Sequence, residues 1–243
     1  MAWIQIQYMS KTCKLPMALD AVIPEEKNSE IPVLFLLHDL GQNQSHWIRE
    51  TKIEKLAEQY KTAVVMVQGM NTFYMNTKNA RAMQDFLTEE LLEYVSFWFG
   101  IAKRPCDRIL VGTGMGGFGA AFTFLEHPEC FEKAAALDMR DPKWYYQNPE
   151  EAKQFGIRPE TIWGTRDDWE KLCFWEKVKK AEQDGCILRE EILCDGKNSV
   201  EDMFLEDILQ KIGAKPSDRE KRRLFLFQTT KKNQSECGKE DIS

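Results

Sequence analysis

Short apolar runs alternate along this chain with amphipathic stretches, and that alternation restricts the fold more than any other feature. Val33–Leu37, Ala63–Val67 and residues 108–111 are four or five residues long and almost wholly apolar. Runs of this kind form parallel strands buried on both faces. Residues 134–137, 161–163 and 187–193 are weaker strand candidates. Between them lie residues 51–60, 82–99, 115–126, 169–184 and 200–212, each long enough for a helix that crosses back over a sheet. Residues 3–9 alternate polar with apolar positions and Pro16–Ile23 continues as a second extended segment, so the chain opens with an edge hairpin. The alternation predicts an α/β fold with a mostly parallel central sheet and helices on both faces.

A length of 243 residues with 43% hydrophobic content supports one full core. The expected division is a domain over 1–214 and a C-terminal tail over 215–243. The tail holds eight Lys or Arg against five Asp or Glu, opposite in sign to a body with 25 against 34. It is read as disordered; an added strand at Leu224-Phe225-Leu226-Phe227, a partner hook and a weak membrane contact are the other readings. A net charge of −6 excludes an ordinary nucleic-acid binder, which presents a basic face. Seven cysteines without a CxxC pair read as packed, reduced thiols of a cytoplasmic protein. No apolar run is long enough for a membrane span. Neither HxxxH nor HExxH occurs, so no metal is expected.

The third buried run leads into Gly112-Thr113-Gly114-Met115-Gly116, which has the GxSxG frame of a hydrolase nucleophile elbow with glycine in place of serine. Small residues at the flanks of such an elbow let strand and helix approach closely. Glycine has nothing to attack with. The histidines are His38, His46 and His127, and none follows an aspartate near the C-terminal end, as the Ser, Asp/Glu, His order requires. His38 ends a buried strand and reads as a hydrogen-bonded structural histidine, His46 as lining a pocket mouth, and His127 as the cation at a helix end.

Four segments in order, Leu36-Leu37-His38-Asp39-Leu40-Gly41, residues 47–54, residues 112–119 and Gly164-Thr165-Arg166-Asp167, resemble the tributyrin esterase branch of the esterase D and S-formylglutathione hydrolase family, from about Met1 to Gly213. The resemblance implies an α/β-hydrolase fold. It puts the nucleophile position on Gly114, the acid on Asp167 with Asp168 beside it, and the histidine position on Asn198, within Gly196-Lys197-Asn198-Ser199-Val200. Asparagine cannot shuttle a proton near neutral pH. The oxyanion-hole amides would be those of Leu40 and Met115. Asp39 stands where relatives have a small glycine, and a carboxylate there opposes an oxyanion unless it turns outward or is protonated. The roof over the acyl site, residues 141–155, is short, and its Trp144-Tyr145-Tyr146 cluster is read as closing the cleft, as a contact surface or as core.

The expectation is a cytoplasmic, esterase-like pseudoenzyme with a degenerate catalytic triad and no cofactor. It would bind a small acyl or ester-like ligand or a protein partner, including a second copy of itself. The alternative is a weakly active carboxylic-ester or thioester hydrolase that uses water positioned by Asp167 or Asp39. Asp39, Asp167 and Asp168 could also converge on an amine or a hard cation.

Overall fold

The computed structural model describes residues 1–25, 31–76, 81–165, 168, 173–193, 199–212 and 223–229. Among these residues eight strands form one sheet: β1 Ala2–Met9, β2 Pro16–Ile23, β3 Val33–Leu37, β4 Ala63–Val67, β5 Arg108–Thr113, β6 Lys133–Leu137, β7 Ile187–Leu193 and β8 Arg223–Thr229. Their order is β1-β2-β4-β3-β5-β6-β8-β7. The hairpin β1–β2 and the β2–β4 pair are antiparallel and the rest are parallel. This is the mostly parallel sheet that the alternation predicts, in the α/β-hydrolase fold that the resemblance implies.

Among the described residues the helices are α1 His46–Glu50, α2 Ile53–Gln59, α3 Met83–Asp85, α4 Leu91–Phe99, α5 Gly114–Glu126, α6 Lys143–Gln147, α7 Pro149–Gln154, α8 Pro159–Trp163, α9 Phe174–Gln183 and α10 Val200–Ile212. Strand side chains alternate between faces, and the core divides accordingly. Val33, Phe35, Leu37, Val65, Leu110 and Ala136 pack with α4 and α5. Leu34, Leu36, Val64, Met66, Val111 and Ala135 pack with Ile53, Leu56 and Ala57 of α2 and with Phe204, Leu205, Ile208 and Leu209 of α10.

Two expectations change. Residues 161–163, read as a strand, lie in α8: Pro159 presets the helical φ of the first turn and Gly164, at φ +86°, ends it. Trp163 is thereby delivered to an aromatic cluster with Phe73 at 4.7 Å. Residues 223–229, read as part of a disordered tail, form an interior strand between β6 and β7. Leu224 and Leu226 join one face of the core and Phe225 the other, all three buried. Of the cysteines, Cys13 and Cys130 are buried as expected and Cys173 is exposed.

A π-helical turn, Phe86–Glu90, joins α3 to α4 and sets Glu90 beneath the loop between β1 and β2. The Glu90 carboxylate accepts from the amides of Lys11 at 3.0 Å and Thr12 at 2.6 Å and from Ser10 Oγ at 3.0 Å. Burial alone would raise its pKa; these donors outweigh burial and hold it below the usual carboxylate value. A depressed pKa stabilises the fold above the unfolded value, about 4.3, and that stability is lost as pH falls through the folded value. Glu90→Gln should therefore cost about 2–4 kcal/mol at pH 7. The gap between the two proteins in urea denaturation should narrow below about pH 4; a pH-independent gap would contradict this.

Candidate functional site

Three neighbouring strand ends build the site. Leu37 of β3 lies beside Gly112 of β5, and Thr113 of β5 beside Leu137 of β6. The loops that leave these strands at their C-terminal ends therefore meet in the crevice where ligands of open α/β sheets bind. β5 turns into α5 at Gly114, whose φ is +52°. Only glycine adopts this region at little cost. A Cβ at Gly112 would overlap the Gly116 backbone, and one at Gly116 would meet His38 O at 2.7 Å. The elbow's glycines thus serve close approach as well as the turn.

Asp39 turns inward. Its Oδ1 accepts from the Leu40 amide at 2.7 Å and from the Met115 amide at 2.7 Å. These are the two amides that the resemblance assigns to an oxyanion hole, and one carboxylate oxygen holds both. The same carboxylate fills the space beside Gly114: a Cβ there would have Oδ1, Cγ and Oδ2 of Asp39 all within 3.0 Å, closer than real Cβ atoms come. Of the two orientations that the sequence leaves open, the inward one is taken, and α5 has no side-chain cap of its own at Thr113. The unpaired amides and positive dipole at a helix N-terminus attract an anion. Asp39 supplies one from the neighbouring strand.

Residues around Asp39 hold it in place. Its backbone N–H donates to Gln42 Oε1 at 3.0 Å. The amide of Arg140, in the loop after β6, donates to Gly114 O at 3.3 Å. The Arg140 guanidinium donates to Glu151 Oε1 at 2.6 Å and lies 3.5 Å from the Tyr145 hydroxyl. Burial would lower the Arg140 pKa, but Tyr145, Glu151 and Asp39 outweigh it and hold the group firmly charged. Sequence reasoning missed Arg140; its place just beyond a buried strand, at the C-terminal edge of the sheet, was the available signal.

His38 is fully buried. The Gly69 amide donates to its Nε2 at 2.9 Å, so the ring proton sits on Nδ1 and donates to the Asp39 carbonyl at 2.7 Å. Burial, partly opposed by Asp39, lowers its pKa to about 4. As the sequence suggests, it is a neutral structural histidine. Its ring resonances should not titrate between pH 8 and about 5 in NMR spectra; a midpoint near 6.5 would contradict that placement. His46 is buried against Trp47 instead of lining an open mouth, and its Nε2 has no hydrogen-bond partner among the described residues. His127 lies at the far end of α5, roughly 20 Å from Gly114 by helical rise.

Asp168 is turned toward its own loop, where its Oδ2 accepts from the Thr165 amide and hydroxyl, each at 2.9 Å. Asp167 and Asn198 lie outside the described residues. Tyr145 packs as core against Phe73 and Trp163, while Trp144 Nε1 donates to Glu151 Oε2 at 2.6 Å. The roof aromatics are therefore packed inward in large part.

Residues 10–204 match the family model named Esterase. An acetyl esterase from Caldicellulosiruptor saccharolyticus is 27% identical over 148 residues, 56% of this chain and 56% of that protein, so the match spans little more than half of its length. Among solved structures, the fluorophosphonate-binding serine hydrolase FphF of Staphylococcus aureus superposes with a TM-score of 0.70 at 22% identity, covering 94% of this chain and 90% of its own. The S-formylglutathione hydrolase FrmB of the same organism gives 0.62 at 23%, covering 94% and 91%. MPT51 of Mycobacterium tuberculosis gives 0.67 at 16%, covering 94% and 90%. At these identities the solved structures speak for the fold. Among the described residues, no helix is long and apolar enough to cross a membrane.

Proposed function

Since the chain belongs to the Esterase family, yet its elbow carries Gly114 and its cradle holds its own carboxylate, we propose that it is a non-hydrolytic member. It keeps the esterase fold as a scaffold for binding a small ligand or a partner protein. Hydrolysis of an ester needs a nucleophile, a base and donors free to receive charge on the carbonyl oxygen. On this reading the first is missing at Gly114, the second at Asn198, and the third is engaged by Asp39. The degenerate triad and the tributyrin branch rest on the motif positions in the sequence.

The observation that carries the reading is the shared acceptance by Asp39 Oδ1 of the Leu40 and Met115 amides. An incoming ester oxygen would find both donors satisfied and a negative charge already in place. The same arrangement opposes a weakly active hydrolase built on Asp39: Oδ2 could position a water, but the oxyanion so formed would still find both amides held by Oδ1. Such a cradle accepts neutral or donor-bearing ligands more readily than carboxylates, since like charges repel.

Two assays test the proposal. The purified protein should neither turn over p-nitrophenyl acetate or butyrate above background nor form a covalent adduct with a fluorophosphonate probe. Turnover at rates ordinary for esterases, or an adduct mapped to a residue beside Gly114, would overturn it.

A further inference from the structure

At the opposite end of α5 from the elbow, the chain makes a tight turn, His127-Pro128-Glu129-Cys130, closed by donation from the Cys130 amide to His127 O at 3.0 Å. Proline at the second position presets the turn. Its closure brings together three side chains of different donor type. His127 Nδ1 lies 3.2 Å from Glu129 Oε1, and Cys130 Sγ lies 3.7 Å from the same oxygen. All three ligand atoms fall within 4.8 Å of one another.

From this grouping, which the spacing rules for metal motifs do not anticipate, we propose a surface site for a borderline divalent cation of the Zn²⁺ class, held by His127 Nδ1, Glu129 Oε1 and Cys130 Sγ. Tetrahedral zinc with bonds of about 2.0–2.1 Å to nitrogen and oxygen and about 2.3 Å to sulfur has edges of about 3.3 Å between N and O and about 3.5 Å between S and O. The N–O and S–O separations lie close to these edges, while the third pair, His127 Nδ1 and Cys130 Sγ, lies within 4.8 Å and closes to about 3.5 Å in a tetrahedral site. A mixed N, O and S donor set favours zinc over magnesium or calcium, which take oxygen ligands.

The surroundings suit a cation. The turn follows the last residue of a 13-residue helix, where unpaired carbonyls and the negative end of the dipole attract positive charge. His127 and Glu129 are partly or largely exposed and Cys130 is buried beneath them. This leaves an outer position open to water. Burial first, and the Glu129 carboxylate second, push the Cys130 thiol up to about 11. A bound ion must therefore displace the thiol proton. On binding, the thiol proton leaves for solvent and the sulfur–metal bond takes its place. Arg108, the nearby cation, is turned to the Ala102, Lys103 and Cys130 carbonyls.

Full-length protein, stripped with a chelator and titrated with Co²⁺ as a spectroscopic stand-in, should take up one ion with a sulfur-to-cobalt charge-transfer band, and Zn²⁺ should displace it. His127→Gln and Cys130→Ser should each weaken Zn²⁺ binding at least about tenfold, and Cys130→Ser should abolish the band. The exposed Cys173→Ser variant should leave both unchanged. Absence of the band in the wild-type protein, or wild-type affinity in folded His127→Gln, overturns the site. Because His127 is at the surface, that variant keeps the test decisive even where Cys130→Ser fails to fold.

Discussion

The double variant Gly114→Ser with Asn198→His, which places serine and histidine at the positions that the proposed function assigns to a triad, is expected to remain inactive until Asp39 is also removed. A serine Cβ at position 114 would overlap the Asp39 carboxylate. Moreover, the Leu40 and Met115 amides would still be donating to Oδ1. Loss of a single oxyanion donor costs about 10²–10³ in turnover, and here one carboxylate engages both. The triple variant with Asp39→Gly should therefore exceed the double by at least about 10³-fold in kcat/KM for p-nitrophenyl butyrate. It should also accept a fluorophosphonate at the introduced serine where the double does not. Full activity in the double variant would show that Asp39 yields freely and would remove the self-occupied cradle from the account. The engineered serine must also tolerate φ +52°, a strain of about 1–3 kcal/mol, so thermal stability should fall slightly in both variants.

The second large effect concerns the end of the sheet. A chain ending at residue 214 loses β8, and β8 is the strand that joins β7 to β6. It also loses the buried side chains of Leu224, Phe225 and Leu226. On the scale of large-to-small core substitutions these three side chains represent roughly 7–15 kcal/mol, comparable with the roughly 5–15 kcal/mol that holds a domain folded. The shortened protein should show no cooperative thermal transition and should aggregate through the exposed edge of β6. Phe225→Ala alone should cost about 3–5 kcal/mol in urea unfolding. A truncated chain that melts within a few degrees of the full one would mean that β8 is dispensable.

Much of the fold is legible without coordinates. Val33–Leu37, Ala63–Val67, Ile187–Leu193 and Val200–Ile212 occupy the spans expected of them, because a buried strand or an amphipathic helix writes its period into consecutive residues. Residues 161–163 are too few to carry a period, and Pro159 with Gly164 outweighs their apolar character. Residues 224–227 carry a strand-like run, but charged neighbours on its N-terminal side conceal an interior position. Only pairing with β6 and β7 reveals it.

The site divides in the same way. Sequence alone determined that glycines crowd the turn after β5 and that residue 114 has no attacking atom, since both are properties of single residues. Tertiary structure alone decided where Asp39 points. Its partner amide at Met115 lies 76 residues away in the chain, and the two meet only because β3 and β5 are neighbours. A carboxylate following a buried strand is ordinarily drawn out by water. Here the unpaired amide opening a helix, together with that of Leu40, draws it in.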